Sequence, residues 1–470
     1  MQKLLDNLTK EIRDYYENVG KLDLIPSVTA DEIRNHLYTH FDFEHSNKLD
    51  DVSAGVQSML RRWTLHTNHP HYMGLYVPGT MLSSTIADAL VSLYNPQLGV
   101  WSHAPAACEI ERYTLQFFMK KFGMDPETGS ANFTTGGTEA NLSAVLTALI
   151  KSFPEYGDYG LKALDMQPVF YVSEEAHHSF VKIGQITGLG CESVRNVPTD
   201  SEFKLEMSEL QKLFEQDKKK NLAPFMVAGT AGTTSAGVID PLMELAAFCK
   251  KNQLWFHTDA AYGGAAIMSP NLKERLNGIE QSDSITCDAH KWFSVSMGAG
   301  MFFCRHKKHV SEAFHAGAAY LPDTIEDTID AYRTTIQCSR RFTGLKLFMS
   351  LAELGEKGYA ELIDNQTRLG QHLLSKLTDA GFEIVNNTPL PVICFTNDKI
   401  RDGEYSTTDI LNSMYNRKTF WISETKLKNK TPVLRVCITG FRTTENDIND
   451  FVKELIEIAG KISRLSVSSK

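Results

Sequence analysis

The chain has no cysteine pair at redox or metal-ligand spacing; its eight cysteines, at 108, 191, 249, 287, 304, 338, 394 and 437, are scattered. A 470-residue chain needs no disulfide framework to supplement its core, so reduced, intracellular thiols are expected. No apolar run approaches the roughly 18 residues that a membrane helix requires, which argues against a membrane partner. Positive charge is not in excess: 48 Lys and Arg against 57 Asp and Glu leave a net charge of -9. Neutralising phosphates needs the opposite balance, so a nucleic-acid partner is not expected. Internal repeats and low-complexity tracts are missing too. The opening segment, MQKLLDNLTKEIRDYYENVG, is amphipathic and charged throughout, unlike a signal peptide. A cytoplasmic globular protein is the expectation.

What is present is ordinary globular composition, 42% hydrophobic and 22% charged, with length for a large core and a second domain. Residues 1–75 read as a helical arm of two or three helices, with little apolar surface closing on itself. Over 76–355, short apolar strands alternate with helical stretches: PVFYVS (168–173), PFMVAG (224–229), LWFHT (254–258) and GMFFC (300–304). That alternation predicts an α/β domain with a mostly parallel sheet covered on both faces. One intervening helix, DPLMELAAFCKKN (240–252), places Asp240 at its N-cap and Pro241 in its first turn. From 356 to 470 a long helix, three strand-like segments and a closing helix from about Thr444 predict a small C-terminal α+β domain. No flexible linker marks the border.

One lysine stands out. Lys291, in SITCDAHKWFSVSMGAG (284–300), lies between His290 and the aromatics Trp292 and Phe293. A lysine away from water is costly unless its charge is lost or used, and a common use is a Schiff base. An apolar setting made by His290, Trp292 and Phe293 would favour the neutral amine that this chemistry needs.

Four other stretches could meet Lys291 at the carboxyl ends of a parallel sheet, where open α/β folds bind ligands. In FTTGGTEANLSAVLTAL (133–149), Gly136 and Gly137 allow a tight turn, Thr138 is placed to cap, and a helix follows. Such a helix N-terminus either receives a phosphate or is simply a capped turn; it matches neither G-x-G-x-x-G nor a P-loop. In WFHTDAAYGGAA (255–266), Asp259 ends a strand before small residues that admit something flat. It either meets a cation such as a protonated pyridine or caps a helix. His177, in SEEAHHSFVKIGQ (173–185), stacks on a ring, moves a proton, or is a surface or cap residue. Thr230, in VAGTAGTTSAGVIDP (227–241), donates to a cofactor oxygen or merely lies in a joining loop.

Taken together, in the order phosphate turn, histidine, threonine, aspartate and lysine, these residues resemble the group II pyridoxal 5'-phosphate-dependent amino acid decarboxylases, the aromatic amino acid and glutamate decarboxylase family. HKW, preceded by DAAYGG and AGTT, carries the likeness. HPHYMGLYVP (69–78), WSHAPAACEIE (101–111), RRFTGLKLF (340–348) and LRVCITGFRTTENDI (434–448) extend it from about residue 30 almost to the C-terminus. Ala289 departs from it, since many members carry proline before the histidine. The resemblance implies the aspartate aminotransferase-like fold (type I), pyridoxal 5'-phosphate as cofactor, and decarboxylation of an L-amino acid to the amine and carbon dioxide.

Residue by residue, the resemblance implies that Lys291 carries the cofactor covalently, beside His290. Asp259 pairs with the pyridine nitrogen, His177 and Ala261 flank the ring, and Gly136, Gly137 and Thr138 receive the phosphate. Thr230 lies near the ring oxygen. Tyr76, Val77 and Arg435 are implied at the substrate, Arg435 with the alternative of an ion pair between domains. Tyr320, in HAGAAYLPD, is implied as the loop residue that protonates the substrate carbon, with Tyr332 as competitor. That loop reaches a partner's site in the family, which implies a homodimer with active sites at the subunit interface. Alternatives remain open. They are another outcome on the same fold (an aldehyde synthase or aldolase-type lyase), a non-catalytic interaction protein, and a metal bound by His66, His69 and His71, for which no carboxylate or cysteine stands nearby in sequence. The substrate is left open, because Val77, Gln97 and Gly99, at positions that clamp an aromatic ring in relatives, are not aromatic.

Overall fold

The computed structural model describes residues 1–314, 325, 327–427 and 432–468. Three helices open the chain, Gln2–Asn18, Ala30–His40 and Leu49–Trp63. The second starts at a reciprocal capping box between Thr29 and Glu32. None of the three buries a residue fully.

Seven strands form the central sheet: β1 (Ser130–Thr134), β2 (Pro168–Ser173), β3 (Val194–Val197), β4 (Ala223–Thr230), β5 (Trp255–Asp259), β6 (Ser284–Asp288) and β7 (Gly300–Cys304). Their order is β1-β7-β6-β5-β4-β2-β3. Strands β3, β2, β4, β5 and β6 are mutually parallel, and β7 runs against both β6 and β1. Every residue of β2, β5, β6 and β7 is buried, as expected where helices cover both faces. On one face Val227, Phe256 and Ile285 pack with Phe118, Leu210 and Leu245 from three helices. On the other, Ala228, Trp255 and Phe302 pack with Ala144, Val145 and Phe180. The sheet thus has the mostly parallel, doubly covered architecture read from the sequence.

Two local expectations are corrected. Asp240 does not cap the helix that follows it, Leu242–Asn252, whose N-cap is Pro241. Its carboxylate turns inward and accepts from the amides of Leu205 and Thr230, 2.8 and 2.7 Å away. Thr138 does not cap either: the helix Gly137–Ser152 begins before it, with Gly136 at the N-cap. There the carboxylate of Glu139 reaches back to the Thr135 amide at 2.9 Å.

The C-terminal part holds a second sheet of β8 (Glu383–Ile384), β9 (Val392–Thr396), β10 (Ser423–Lys426) and β11 (Pro432–Cys437), all antiparallel in the order β10-β11-β9-β8. Strand β10, SETK, has no apolar run and escaped the sequence reading. The long helix begins at Leu345, earlier than expected, and is broken at Gly355, whose φ of 66° lies in the left-handed region. Its second half and the closing helix Glu445–Ser468 pack on the small sheet through Leu369, Leu373, Phe451 and Leu455.

The segment after the arm joins this C-terminal part. The Met73 amide donates to the Trp421 carbonyl at 2.9 Å, and the Cys437 amide to the Met73 carbonyl at 2.7 Å. Tyr72 stacks on Trp421, and His71 Nε2 meets Asp447 Oδ1 at 2.9 Å. Among the described residues no helix is long and apolar enough to cross a membrane.

Candidate active site

The carboxyl ends of the parallel strands meet at a cavity of about 500 Å³. Register explains which side chains reach it. Thr230 pairs with Asp259 across β4 and β5, and Asp259 with Thr286 across β5 and β6. Asp288 is two residues beyond Thr286, so these side chains share one face of the sheet. Helix Gly137–Ser152 covers that face, and its first residues border the cavity. The opening amides of a helix have no acceptor in a preceding turn. At Gly136, Gly137 and Thr138 they therefore offer a site with the polarity an anion needs. A side chain at Gly137 would place its Cβ 2.9 Å from Asp288 Oδ2, so a larger residue there would push on the carboxylate that meets Lys291.

Lys291, His177, Thr230, Asp259, Ala261, His290, Tyr76 and Val77 all line this cavity. Asp259 is buried and accepts from Asn141 Nδ2 at 2.8 Å and from the Ala261 amide at 3.1 Å. His177 Nδ1 accepts from the Ser179 amide at 3.2 Å. Burial holds the His177 pKa below the usual histidine value, against the pull of the Asp259 carboxylate. His290 is lowered for the same reason, and its Nδ1 accepts from the Ala299 amide at 3.3 Å.

The surroundings of Lys291 differ from expectation. Trp292 and Phe293 point into the core: Trp292 stacks on Tyr262 and donates to Gln366, and Phe293 packs edge-on to Phe118 and Tyr359. The amine meets a carboxylate instead, Asp288 Oδ2 at 3.1 Å, with His290 Nε2 at 3.8 Å from the same oxygen. Sequence reading missed Asp288, although its place at the end of β6, three residues before the lysine, was a usable signal.

Tyr76 is held on three sides. Its ring stacks on Tyr262 at 3.8 Å between centroids, its hydroxyl donates to the Thr233 carbonyl, and the Arg435 guanidinium lies over it at 4.6 Å. Arg435 itself is buried and does not line the cavity. It donates to the carbonyls of Ser235 and Gly74 at 2.9 and 2.8 Å, tying three segments together. Among the described residues it forms no ion pair, so the alternative of a salt bridge between domains is corrected to a backbone clamp. Of the three residues compared with a ring clamp, Val77 lines the cavity and Gln97 and Gly99 do not. Tyr320 lies outside the described residues. Tyr332 is buried away from the cavity, its hydroxyl accepting from Arg333 Nε at 3.0 Å.

The three histidines weighed as metal ligands are engaged separately. His66 bonds Tyr15 and the Arg61 carbonyl, His69 accepts from the His71 amide, and His71 bonds the Thr419 carbonyl and Asp447. Among the described residues no group of three or more His, Cys, Asp and Glu side chains is arranged to hold a metal ion.

Comparison with known proteins agrees with this geometry. The model of the pyridoxal-dependent decarboxylase conserved domain matches residues 36–398. An aromatic-L-amino-acid decarboxylase of Bacillus atrophaeus is 27% identical over 467 residues, covering 96% of this chain and 94% of that protein. An acidic amino acid decarboxylase of Xenopus tropicalis is 31% identical over 339 residues, 71% of this chain and 66% of the other. An Oryza sativa protein solved with PLP and tryptamine superposes with a TM-score of 0.90 at 21% identity, over 97% of each chain.

Proposed function

The chain belongs to the pyridoxal-dependent decarboxylase family, and from that premise we propose that the cavity at the ends of β4, β5 and β6 converts an L-amino acid to its amine and carbon dioxide. The protein is a carboxy-lyase that uses pyridoxal 5'-phosphate. One observation carries the assignment of residues: Lys291, Asp259 and His177 converge with the Gly136–Thr138 turn on one cavity.

The residues present fit the cofactor. The buried Thr230 Oγ1 and Asp288 Oδ1 have no hydrogen-bond partner, as expected of atoms kept for a polar occupant. Ala261, small and buried, leaves room for a flat ring opposite His177. When bound, the cofactor supplies a sink for the electron pair that departing carbon dioxide leaves behind.

The chain's own residues do the rest in this reading. Lys291 would hold the cofactor, and Asp288 and His290 stand beside its amine, placed to take or return a proton. Asp259 would pair with the ring nitrogen and favour its cationic form; the turn amides and Thr138 would hold the phosphate; Thr230 would donate to the ring oxygen. His177 and Ala261 would flank the ring. Tyr76 and Val77 border the substrate. Arg435 acts on it through Tyr76, whose ring it braces. Tyr320, outside the described residues, is the proposed proton donor to the substrate carbon.

A homodimer is part of the proposal. The arm helices carry Leu5, Leu8, Leu37, Leu49 and Leu60 exposed, apolar side chains that a second copy of the chain would cover. The parts inferred are the arm (1–75), the cofactor-binding domain (76–355) and the small domain (356–470). The helix break at Gly355 and a separate core built mainly from residues beyond it support the second boundary. A cytoplasmic location rests on the eight free cysteines.

The test is direct. Protein loaded with pyridoxal 5'-phosphate should be yellow, bleach with borohydride, and yield a modified peptide containing Lys291. Carbon dioxide release across the common L-amino acids, cysteine sulfinate and diaminobutyrate then identifies the substrate. A protein that stays colourless, or is modified at another lysine, would refute the assignment.

A further inference from the structure

Behind Asp259 a chain of hydrogen bonds runs down the sheet, away from the cavity. Asn141 Nδ2 donates to Asp259 Oδ2 at 2.8 Å and lies 3.3 Å from Ser179 Oγ. Asn141 Oδ1 is 3.0 Å from His257 Nε2, and His257 Nδ1 is 2.9 Å from Ser284 Oγ. Ser284 Oγ accepts from Trp255 Nε1 at 2.8 Å. The last three of these side chains and Asn141 are all buried. His257 pairs with Ser284 across β5 and β6, and Trp255, His257 and Asp259 alternate along β5, so one face carries the whole series.

The donor that meets the Asn141 carbonyl follows from its partners. A carboxylate only accepts, so Asn141 must turn its NH2 toward Asp259 and its carbonyl toward His257. That carbonyl needs a donor, which is Nε2–H. A doubly protonated ring would also satisfy it, but complete burial lowers the His257 pKa to about 4, so the ring is neutral near pH 7. Nδ1 lies 2.9 Å from Ser284 Oγ and 3.1 Å from the Ser284 carbonyl; with the proton on Nε2 it accepts from the Ser284 hydroxyl, whose oxygen accepts from Trp255.

We propose that His257 is a positioning residue for Asp259: as the donor that fixes the Asn141 amide, it keeps Asp259 an acceptor-only carboxylate toward the cofactor's ring nitrogen. Asp259 and Ser179 Oγ meet the NH2 end of Asn141, and His257 supplies the donor that meets its carbonyl end. With His257 unable to donate, the buried Asn141 carbonyl is left without a partner, and the orientation that presents it to Asp259 becomes more populated. Two acceptors would then face each other, which favours a protonated Asp259 and weakens its hold on a cationic ring. Ser284 and Trp255 act one step further back by fixing the histidine tautomer. This proposal rests on the cavity being the pyridoxal 5'-phosphate site.

The test compares His257→Phe, which fills the space without a donor, with His257→Gln, whose amide nitrogen reaches the Nε2 position. Each protein is freed of cofactor and reloaded with pyridoxal 5'-phosphate carrying ¹⁵N in the ring. Wild type should show the resonance of a protonated ring nitrogen. His257→Phe should move it toward the unprotonated position and weaken cofactor binding about tenfold, the scale of one hydrogen bond to a charged group. His257→Gln should restore both. A His257→Phe protein with wild-type near-ultraviolet circular dichroism, resonance and affinity would overturn the proposal, as would a His257→Gln protein no better than His257→Phe. Should His257→Phe fail to fold, Ser284→Ala replaces it: a resonance shift supports the series, an unchanged one refutes it. Wild type that does not take up the cofactor at all would remove the parent reading and this inference with it. Normal loading with an unmoved His257→Phe removes this inference alone.

Discussion

Lys291 Nζ lies 3.1 Å from Asp288 Oδ2, and the carboxylate side chain is 2% exposed while the lysine keeps 21%. The more deeply buried partner depends on the more accessible one. Lys291→Ala therefore strands Asp288, whose other oxygen already lacks a partner. In the cofactor-free state this variant should lose about 1–3 kcal/mol of stability, since an uncompensated buried charge costs more than the pair contributes. Adding Asp288→Asn should recover most of that loss. Thermal unfolding of the two variants decides: a double variant no more stable than the single would show that Asp288 is not stranded.

Asp259→Asn keeps the shape of the site but removes the negative charge facing the cofactor. Turnover should fall about 100-fold or more, the scale seen when a preorganised electrostatic partner is lost. Substrate affinity should change far less. Near-normal kcat would make Asp259 a structural residue.

Stability should depend on pH through His257. The unfolded residue titrates near 6.5, while the buried one titrates at about 4. Between these values the unfolded chain binds the extra proton, so stability falls as pH drops through that window. The contribution is on the order of 3 kcal/mol when the window is fully crossed. His69, also lowered to about 4 by burial, adds in the same sense. In denaturant unfolding at pH 7, 6 and 5, the advantage of wild type over His257→Gln should shrink as the pH falls. A constant gap would mean that His257 does not titrate in this way.

Arg435→Met removes the donors to the carbonyls of Gly74 and Ser235. A stability loss of about 2–4 kcal/mol is expected, typical of leaving buried polar groups without partners. The Tyr76 hydroxyl keeps its own bond to Thr233, so the ring should stay in place and KM should move little. A large rise in KM with unchanged stability would return Arg435 to the substrate.

Tyr320→Phe should bind the amino acid normally yet release little amine, because the substrate carbon lacks its proton donor. Tyr332→Phe should keep activity and lose some stability, its hydroxyl being a packing group bonded to Arg333. The reverse pattern would move the proton donor to Tyr332.

The strands of the central sheet were legible because β2, β4, β5 and β7 are short apolar runs bounded by polar turns. The lysine, aspartate and histidine of the cavity stood out because each ends or follows such a run. The supporting residues were harder to see. Asn141 reads as an unremarkable helix residue until the register of β5 and β6 places His257 behind it. A signal existed, since SITCD carries a polar residue at every second position and WFHTD ends in three, in strands that are wholly buried. Orientation was not legible: adjacency in sequence put Trp292 and Phe293 beside Lys291, but a turn sends them into the core on the other side. Asp240 misled for a similar reason, because a carboxylate before a helix also caps a neighbouring strand end.

The hydrogen bonds that join Met73 to Trp421 and Cys437 span most of the chain. Loop closure over such a separation is slow, and during synthesis His71, Tyr72 and Met73 emerge long before the residues that hold them. The early segment must wait, with Met73 uncovered, until the last strand and closing helix are complete. Final docking of this segment is therefore a late event in folding, and a chain stopped short of Cys437 cannot finish what its beginning started.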